Sequence, residues 1–315
     1  MKAFFYTASL LLMLAACGSL RNEVDPSILS AGGEKLVVNG YISPQDTLLT
    51  VKVSRSKPAL AEPSEGVPYV VENATVSLTD GNRVVVMRYN TDRQFYQAPV
   101  ALMPIRTGQT YTLTATTPDG KKVTAQATVP PPVPIRTINL DSTITTSGAI
   151  RTKAYRVTFV WEDPAGETNF YQYAGYLQWK DNKFSYPIGG QNEVPVPNIY
   201  VLIFNRDRAT GNLLSDDRQQ GSLLTSQSAD VAKIIVQKTD PPAAENVSYS
   251  YPGARVVAQL LNTDESFYRY TNAVARQRQV GNSPFAEPVP IPTNITNGLG
   301  CFAAYNRTEK VLSLK

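Results

Sequence analysis

The sequence predicts a mainly β protein: an N-terminal antiparallel sandwich followed by a second β-rich domain that carries one packed helix. Three observations carry this. Between Glu34 and Val129, short apolar–polar alternations recur between turn signals, without a segment of helical period. The run Pro130-Pro131-Pro132-Val133-Pro134 then interrupts them. Consecutive prolines cannot donate to a sheet ladder and favour stiff polyproline II, so residues 130–134 read as a semi-rigid spacer. In residues 135–315 the alternation resumes and gives way to a helical period near residues 265–279. There Phe267, Tyr270, Thr271 and Val274 fall at i, i+3, i+4 and i+7, Arg269, Arg276 and Arg278 remain for the polar side, and Asp264 stands at the cap position.

In the first domain, 34–129, Lys35 to Ile42 is apolar and β-rich. Leu48 to Ser54 places Leu49, Val51 and Val53 on one face, and Ala74 to Thr79 does the same with Ala74, Val76 and Leu78. Asp80-Gly81 predicts a two-residue hairpin into Arg83 to Arg88, because a type I′ turn needs positive φ at both central residues. Tyr111, Leu113 and Ala115 alternate before Pro118-Asp119-Gly120, and Val123, Ala125, Ala127 and Val129 after it. In the second domain Tyr155, Val157, Phe159 and Trp161 alternate into a turn at Asp163-Pro164-Ala165-Gly166. From Asn169 to Trp179, Tyr171, Tyr173, Leu177 and Trp179 share one face, with Phe170 and Tyr176 on the other. Further strands are expected at Ile199 to Asn205, Ile234 to Lys238 and Arg255 to Asn262. The stretches 181–197 and 207–230 read as irregular polar loops, where binding usually sits. No period of about 20 to 50 residues repeats, which argues against a solenoid or propeller.

Composition excludes several function classes. The net charge of +4 is not gathered into basic runs, so nucleic-acid binding has little support. The chain has no histidine, which removes Ser-His-Asp and Cys-His pairs and His-ligated zinc. Carboxylate chemistry of the glycosidase type remains open, and the sequence offers the adjacent acids Glu162-Asp163 and Asp216-Asp217. Neighbours on a strand point to opposite faces, so these are expected to be solvated turn residues. The expectation is a non-enzymatic protein with no catalytic residue, no metal ligands and no cofactor. Cys301, within Gly300-Cys301-Phe302-Ala303-Ala304-Tyr305, reads as a small buried hydrophobe.

At the amino terminus, Lys2 precedes a mostly apolar stretch from Ala3 to Met13 and then Leu14-Ala15-Ala16-Cys17. Residues 1–16 read as a signal peptide, too short to span a bilayer, which takes about 20 residues. The run Leu14-Ala15-Ala16-Cys17 resembles the lipobox of bacterial lipoproteins. That resemblance implies signal-peptidase recognition by Leu14, Ala15 and Ala16, lipidation of the Cys17 thiol, and cleavage before it. Two or more acyl chains hold a protein stably on a membrane where one does so only marginally. Residues 17–33 follow as a polar tether. With Cys17 consumed by lipid, Cys301 has no intrachain partner for a disulfide.

Two larger resemblances remain. Ala74-Thr75-Val76-Ser77-Leu78-Thr79-Asp80-Gly81, then Phe95-Tyr96 and Gly108-Gln109-Thr110-Tyr111-Thr112-Leu113, resembles the transthyretin-like domain found beside carboxypeptidases and in outer-membrane receptors. It implies an immunoglobulin/transthyretin-like sandwich for residues 34–129. Phe267-Tyr268-Arg269-Tyr270, the run from Gly281 to Ile295, the segment Gly298 to Tyr305 and the opening Lys35 to Ile42 together resemble the outer-membrane lipoproteins of Bacteroidota classed as domain of unknown function 4249. That resemblance implies lipid anchoring at the outer membrane and a TonB-dependent receptor as partner in nutrient uptake. The segment Gly18 to Glu23 holds a single acid, so the membrane face stays open. The alternative is a stand-alone carbohydrate- or peptide-binding surface lipoprotein or adhesin. It would use exposed aromatics, although Trp161 and Trp179 lie in strands where core packing is expected.

Overall fold

Alternation becomes burial in β1 (Leu36–Ile42) and β2 (Leu48–Arg55), where every second side chain enters a core. In this computed structural model the described residues are 34–56, 69–147, 150–185, 192–204, 212–217, 220–238, 253–280, 287 and 289–314. The signal peptide, the tether and the lipidation residues Leu14, Ala15, Ala16 and Cys17 lie outside them. β3 (Thr75–Thr79), β4 (Val84–Asn90), β5 (Phe95–Pro99), β6 (Thr110–Thr116) and β7 (Lys122–Thr128) complete the first half. They pair in the order β1-β2-β5-β4-β3-β6-β7, and the sheet folds over a core that includes Val38, Val53, Val76, Tyr111, Leu113 and Val123.

The first hairpin turns one residue later than expected. Asp80 N–H donates to Arg83 O, which leaves Gly81 and Asn82 as the central pair, with positive φ on Gly81 alone (93°). The cause is the Asp80 side chain, whose Oδ1 accepts from Asn82 N (2.9 Å) and Arg83 N (2.7 Å). The second hairpin keeps its expected place, with Gly120 at φ 83° accommodating the left-handed position after Asp119.

The second half contains β8 (Ile135–Ser147), β9 (Ile150–Glu162), β10 (Phe170–Ser185), β11 (Asn192–Val201), β12 (Leu213–Ser215), β13 (Leu223–Thr225), β14 (Ala229–Lys238) and β15 (Arg255–Thr263), then α1 (Glu265–Val280) and β16 (Leu299–Ser313). β8, β13 and β14 pair with β9 in one sheet, and Val157, Phe159 and Trp161 of β9 pack on Tyr171, Tyr173 and Leu177 of β10 in the other. One expectation is corrected here, and one strand had no signal in the sequence. Residues 181–197, read as an irregular loop, lie largely in the β10–β11 hairpin, because backbone pairing from Tyr176↔Val201 to Ser185↔Asn192 does not depend on side-chain polarity. β8 gave no alternation signal because nearly all its residues beyond Ile138 are exposed on both faces.

β16 joins the halves. Its first part runs parallel to β1, from Val37↔Leu299 to Ile42↔Ala304, and its second part antiparallel to β15, from Thr263↔Tyr305 to Arg255↔Ser313. Gly300 makes the first contact possible: at φ 102°, a Cβ there would stand 2.1 Å from Val38 O. Phe302 and Ala304 enter the first core while Cys301 and Ala303 face α1, which explains an apolar run without alternation. The proline run is bolted onto the same joint. Pro130 O accepts from Asn306 Nδ2 (3.1 Å), Pro131 O from Asn262 Nδ2 (3.0 Å) and Val133 O from Thr308 Oγ1 (2.5 Å). Residues 130–134 thus separate two cores, while one sheet runs through both.

Candidate functional site

The amphipathic spacing of α1 and the prolines that follow it build a groove on the protein surface. Asp264 starts the helix as expected: its Oδ1 accepts from Phe267 N (2.8 Å). Its Oδ2 accepts from Ala304 N (2.7 Å), and its own N–H donates to Ala304 O (2.9 Å), so the cap also fastens α1 to β16. Burial pushes the Asp264 carboxyl up to about 6 despite these N–H donors. Phe267 packs edge-on to Tyr41 with ring centres 5.4 Å apart, and Tyr270 OH donates to Asn39 Oδ1 (3.1 Å). These contacts hold α1 against β1 and β16.

The opposite wall is the extended segment 289–295, where Pro290 and Pro292 prevent helix continuation. Val289 N–H donates to Gln277 Oε1 (2.7 Å). Asn294 Nδ2 donates to Phe302 O (2.6 Å), and its Oδ1 accepts from Phe302 N (3.0 Å). Between the walls runs a groove of about 650 Å³, with Tyr268, Asn272 and Arg276 from α1 facing Glu287, Val289 and Pro290. Arg269 and Pro292 also line an adjoining recess of about 180 Å³ whose floor includes Cys301. Arg269 pairs with Glu265 at 2.6 Å. Burial pushes the Cys301 thiol up to about 12, so it is a packed hydrophobe and not a thiolate nucleophile. The groove presents aromatic, amide, cationic and anionic groups on fixed walls, a set suited to holding a ligand or a partner segment.

The acids singled out in the sequence are placed differently from expectation. Glu162 is exposed and pairs with Arg136 at 3.0 Å, and Asp217 is exposed. Asp163 and Asp216, expected to be solvated, are 2% and 0% exposed and within hydrogen-bonding reach of each other. The reason is that the turn after β9 is covered by the segments after β12 and before β13, which no local pattern encodes. Asp163 Oδ1 accepts from Tyr171 OH (2.5 Å) and Oδ2 from Gly221 N (2.9 Å), while Asp216 Oδ1 accepts from Asn169 N (2.9 Å). Among the described residues both carboxylates are buried within these contacts.

Trp161 is fully buried, and Trp179 is half-buried against the second core. Of the groove residues, the sequence reading places Arg269 and Arg276 on the polar side of a helix and does not single out Asn272. The one signal that could have marked them was the proline-rich run just downstream. Among the described residues there is no cluster of three or more His, Cys, Asp or Glu side chains able to hold a metal ion, and no helix is long and apolar enough to cross a membrane.

Fold and site together define a two-core β protein whose halves share one strand and whose helix forms one wall of a surface groove. The chain belongs to the family described as domain of unknown function (DUF4249), whose model matches residues 21–311 and so takes in both cores, the groove and all but the last two residues of β16. No curated protein matches it.

Proposed function

We propose that this protein is a lipid-anchored, non-enzymatic accessory lipoprotein of the bacterial outer membrane, of the kind found in Bacteroidota, which works with a TonB-dependent receptor in nutrient uptake. The observation that carries the reading is the groove. Its walls are the helix carrying Phe267-Tyr268-Arg269-Tyr270 and the segment leading to Ile295, both within the residues 21–311 that the family model matches. Part-buried hydrogen bonds hold both walls, and the aromatic, amide and charged side chains they present support a role in recognition. The lipobox Leu14-Ala15-Ala16-Cys17 supplies the anchor in this reading. Glu34, where the tether would enter the fold, is held by Arg55 and by Lys121 (3.3 Å) at the start of β1.

The test is detergent pull-down of the tagged full-length protein from its native membrane, with the wild type beside Arg276→Glu. A receptor barrel should co-purify with the wild type and be depleted at least several-fold in the variant. Recovery without any barrel at several expression levels would reject the partnership. The stand-alone adhesin reading is weakened by the full burial of Trp161, one of its two indole candidates; Trp179 is half-buried.

A further inference from the structure

We infer that Asp163 and Asp216 share a single proton carried on Asp216 Oδ2, and that this carboxyl–carboxylate pair is a clasp closing one end of the second sandwich, which loosens as pH rises. The assignment follows from counting acceptors. Both oxygens of Asp163 already accept, from Tyr171 OH (2.5 Å) and Gly221 N–H (2.9 Å). Asp216 Oδ1 accepts from Asn169 N–H (2.9 Å), so Asp216 Oδ2 is the remaining carboxylate oxygen, buried and without a donor in the structure. Two ionised carboxylates in mutual reach at 2% and 0% exposure would repel in a poorly screened interior. One proton on Asp216 Oδ2 turns that repulsion into a charge-assisted hydrogen bond to Asp163. Burial first, and then the neighbouring Asp163, push the Asp216 carboxyl above its ordinary value. The titratable groups facing it are Asp163 after β9, Tyr171 of β10 and its own neighbour Asp217; among the described residues no lysine or arginine forms an ion pair with either carboxylate of the clasp.

The clasp gathers three separate segments. Asp163 N–H donates to Ser222 O (3.0 Å) ahead of β13, and Asp216 N–H donates to Asn169 O (3.3 Å) ahead of β10. The pair thereby ties the sheet holding β9 and β13 to the sheet holding β10 and β12. Trp161 lies behind it, 5.4 Å from the Tyr171 ring and fully buried, so loosening is visible in indole emission. An acid whose folded-state pKa is raised contributes stability that is complete below its unfolded value, about 4, and lost as pH climbs through the folded value.

The experiment follows thermal unfolding of the full chain by tryptophan emission from about pH 5 to pH 9, with infrared detection of a protonated carboxyl. Asp216→Asn keeps an oxygen for Asn169 N–H and places an N–H₂ where the proton sits. It should unfold at or above the wild-type temperature at the alkaline end, leave only the pH dependence that Asp264 contributes near 6, and remove the carboxyl band that persists once Asp264 has ionised. Asp163→Asn puts a donor against Tyr171 OH or Gly221 N–H and should unfold earlier throughout. Equal destabilisation by both substitutions with the pH dependence intact would overturn the assignment. So would absence of the carboxyl band in the wild type, or stabilisation by calcium that a chelator reverses and Asp216→Asn abolishes, since the charge would then be balanced by a metal.

Discussion

Asp80 and Asp216 are the same residue type placed directly after a strand, and they do opposite things. Asp80, in the first core's hairpin, remains within reach of solvent, and the N–H groups of Arg83 and Asn82 hold its carboxyl below the usual range. Asp216, in the second half, is covered by Asp163 and its turn, and burial drives its carboxyl the other way. The local sequences do not foretell the difference. What separates them is whether another segment of chain closes over the turn: a solvated carboxylate organises its own loop, whereas a covered one must find a proton and a partner in a distant loop.

The largest expected effect bears on the joint that makes the two halves one body. Gly300→Ala places a Cβ against the Val38 carbonyl at a positive φ, so β16 must leave β1. A loss of about 4 kcal/mol or more is expected, read as a drop in the urea midpoint; a midpoint within error of the wild type would mean the β1–β16 pairing is not what holds the halves together. The next effect breaks the comparison between the two turns. Asp163→Asn should cost about 1–3 kcal/mol by leaving buried donors opposed, while Asp80→Asn, which keeps an oxygen for Asn82 and Arg83 N–H, should leave the midpoint in place. Equal midpoint shifts would show that burial is not the deciding variable.

The smallest sharpens the contrast with a third aspartate, Asp264, which is covered like Asp216 and yet accepts from N–H groups like Asp80. Its carboxyl should titrate near 6 in a side-chain NMR titration. Its contribution to stability is complete below the unfolded value of about 4 and fades as pH rises through about 6. Asp264→Ala should cost about 1 kcal/mol through the lost cap, and a titration midpoint in the ordinary carboxylate range would show that the N–H donors outweigh burial.

Much of the architecture was legible. Leu49, Val51 and Val53, or Tyr111, Leu113 and Ala115, alternate in sequence and are buried in register, and Asp264 caps the helix where the apolar period begins. The errors have physical causes. The first turn slid by one residue because a side-chain oxygen competed with the backbone at Asp80, and β8 was silent because it buries no continuous face. The groove was half legible, since the period of α1 and the prolines at 290 and 292 were both visible, but nothing local says that Gln277 holds Val289 or that Asn294 reaches Phe302.

Residue order and composition alone settle what depends on neighbours: strand period, turn chemistry, the helix cap, the proline break and the absence of histidine. Only the folded chain decides that β16 serves two partners, that Gly300 sits against Val38, and that Asp163 meets Asp216. The physical reason is range. Propensity and alternation act over a few residues, whereas a buried charge, a shared proton or a strand joining two cores is specified by contacts between segments far apart in the chain, whose energy appears only once water has been excluded from between them.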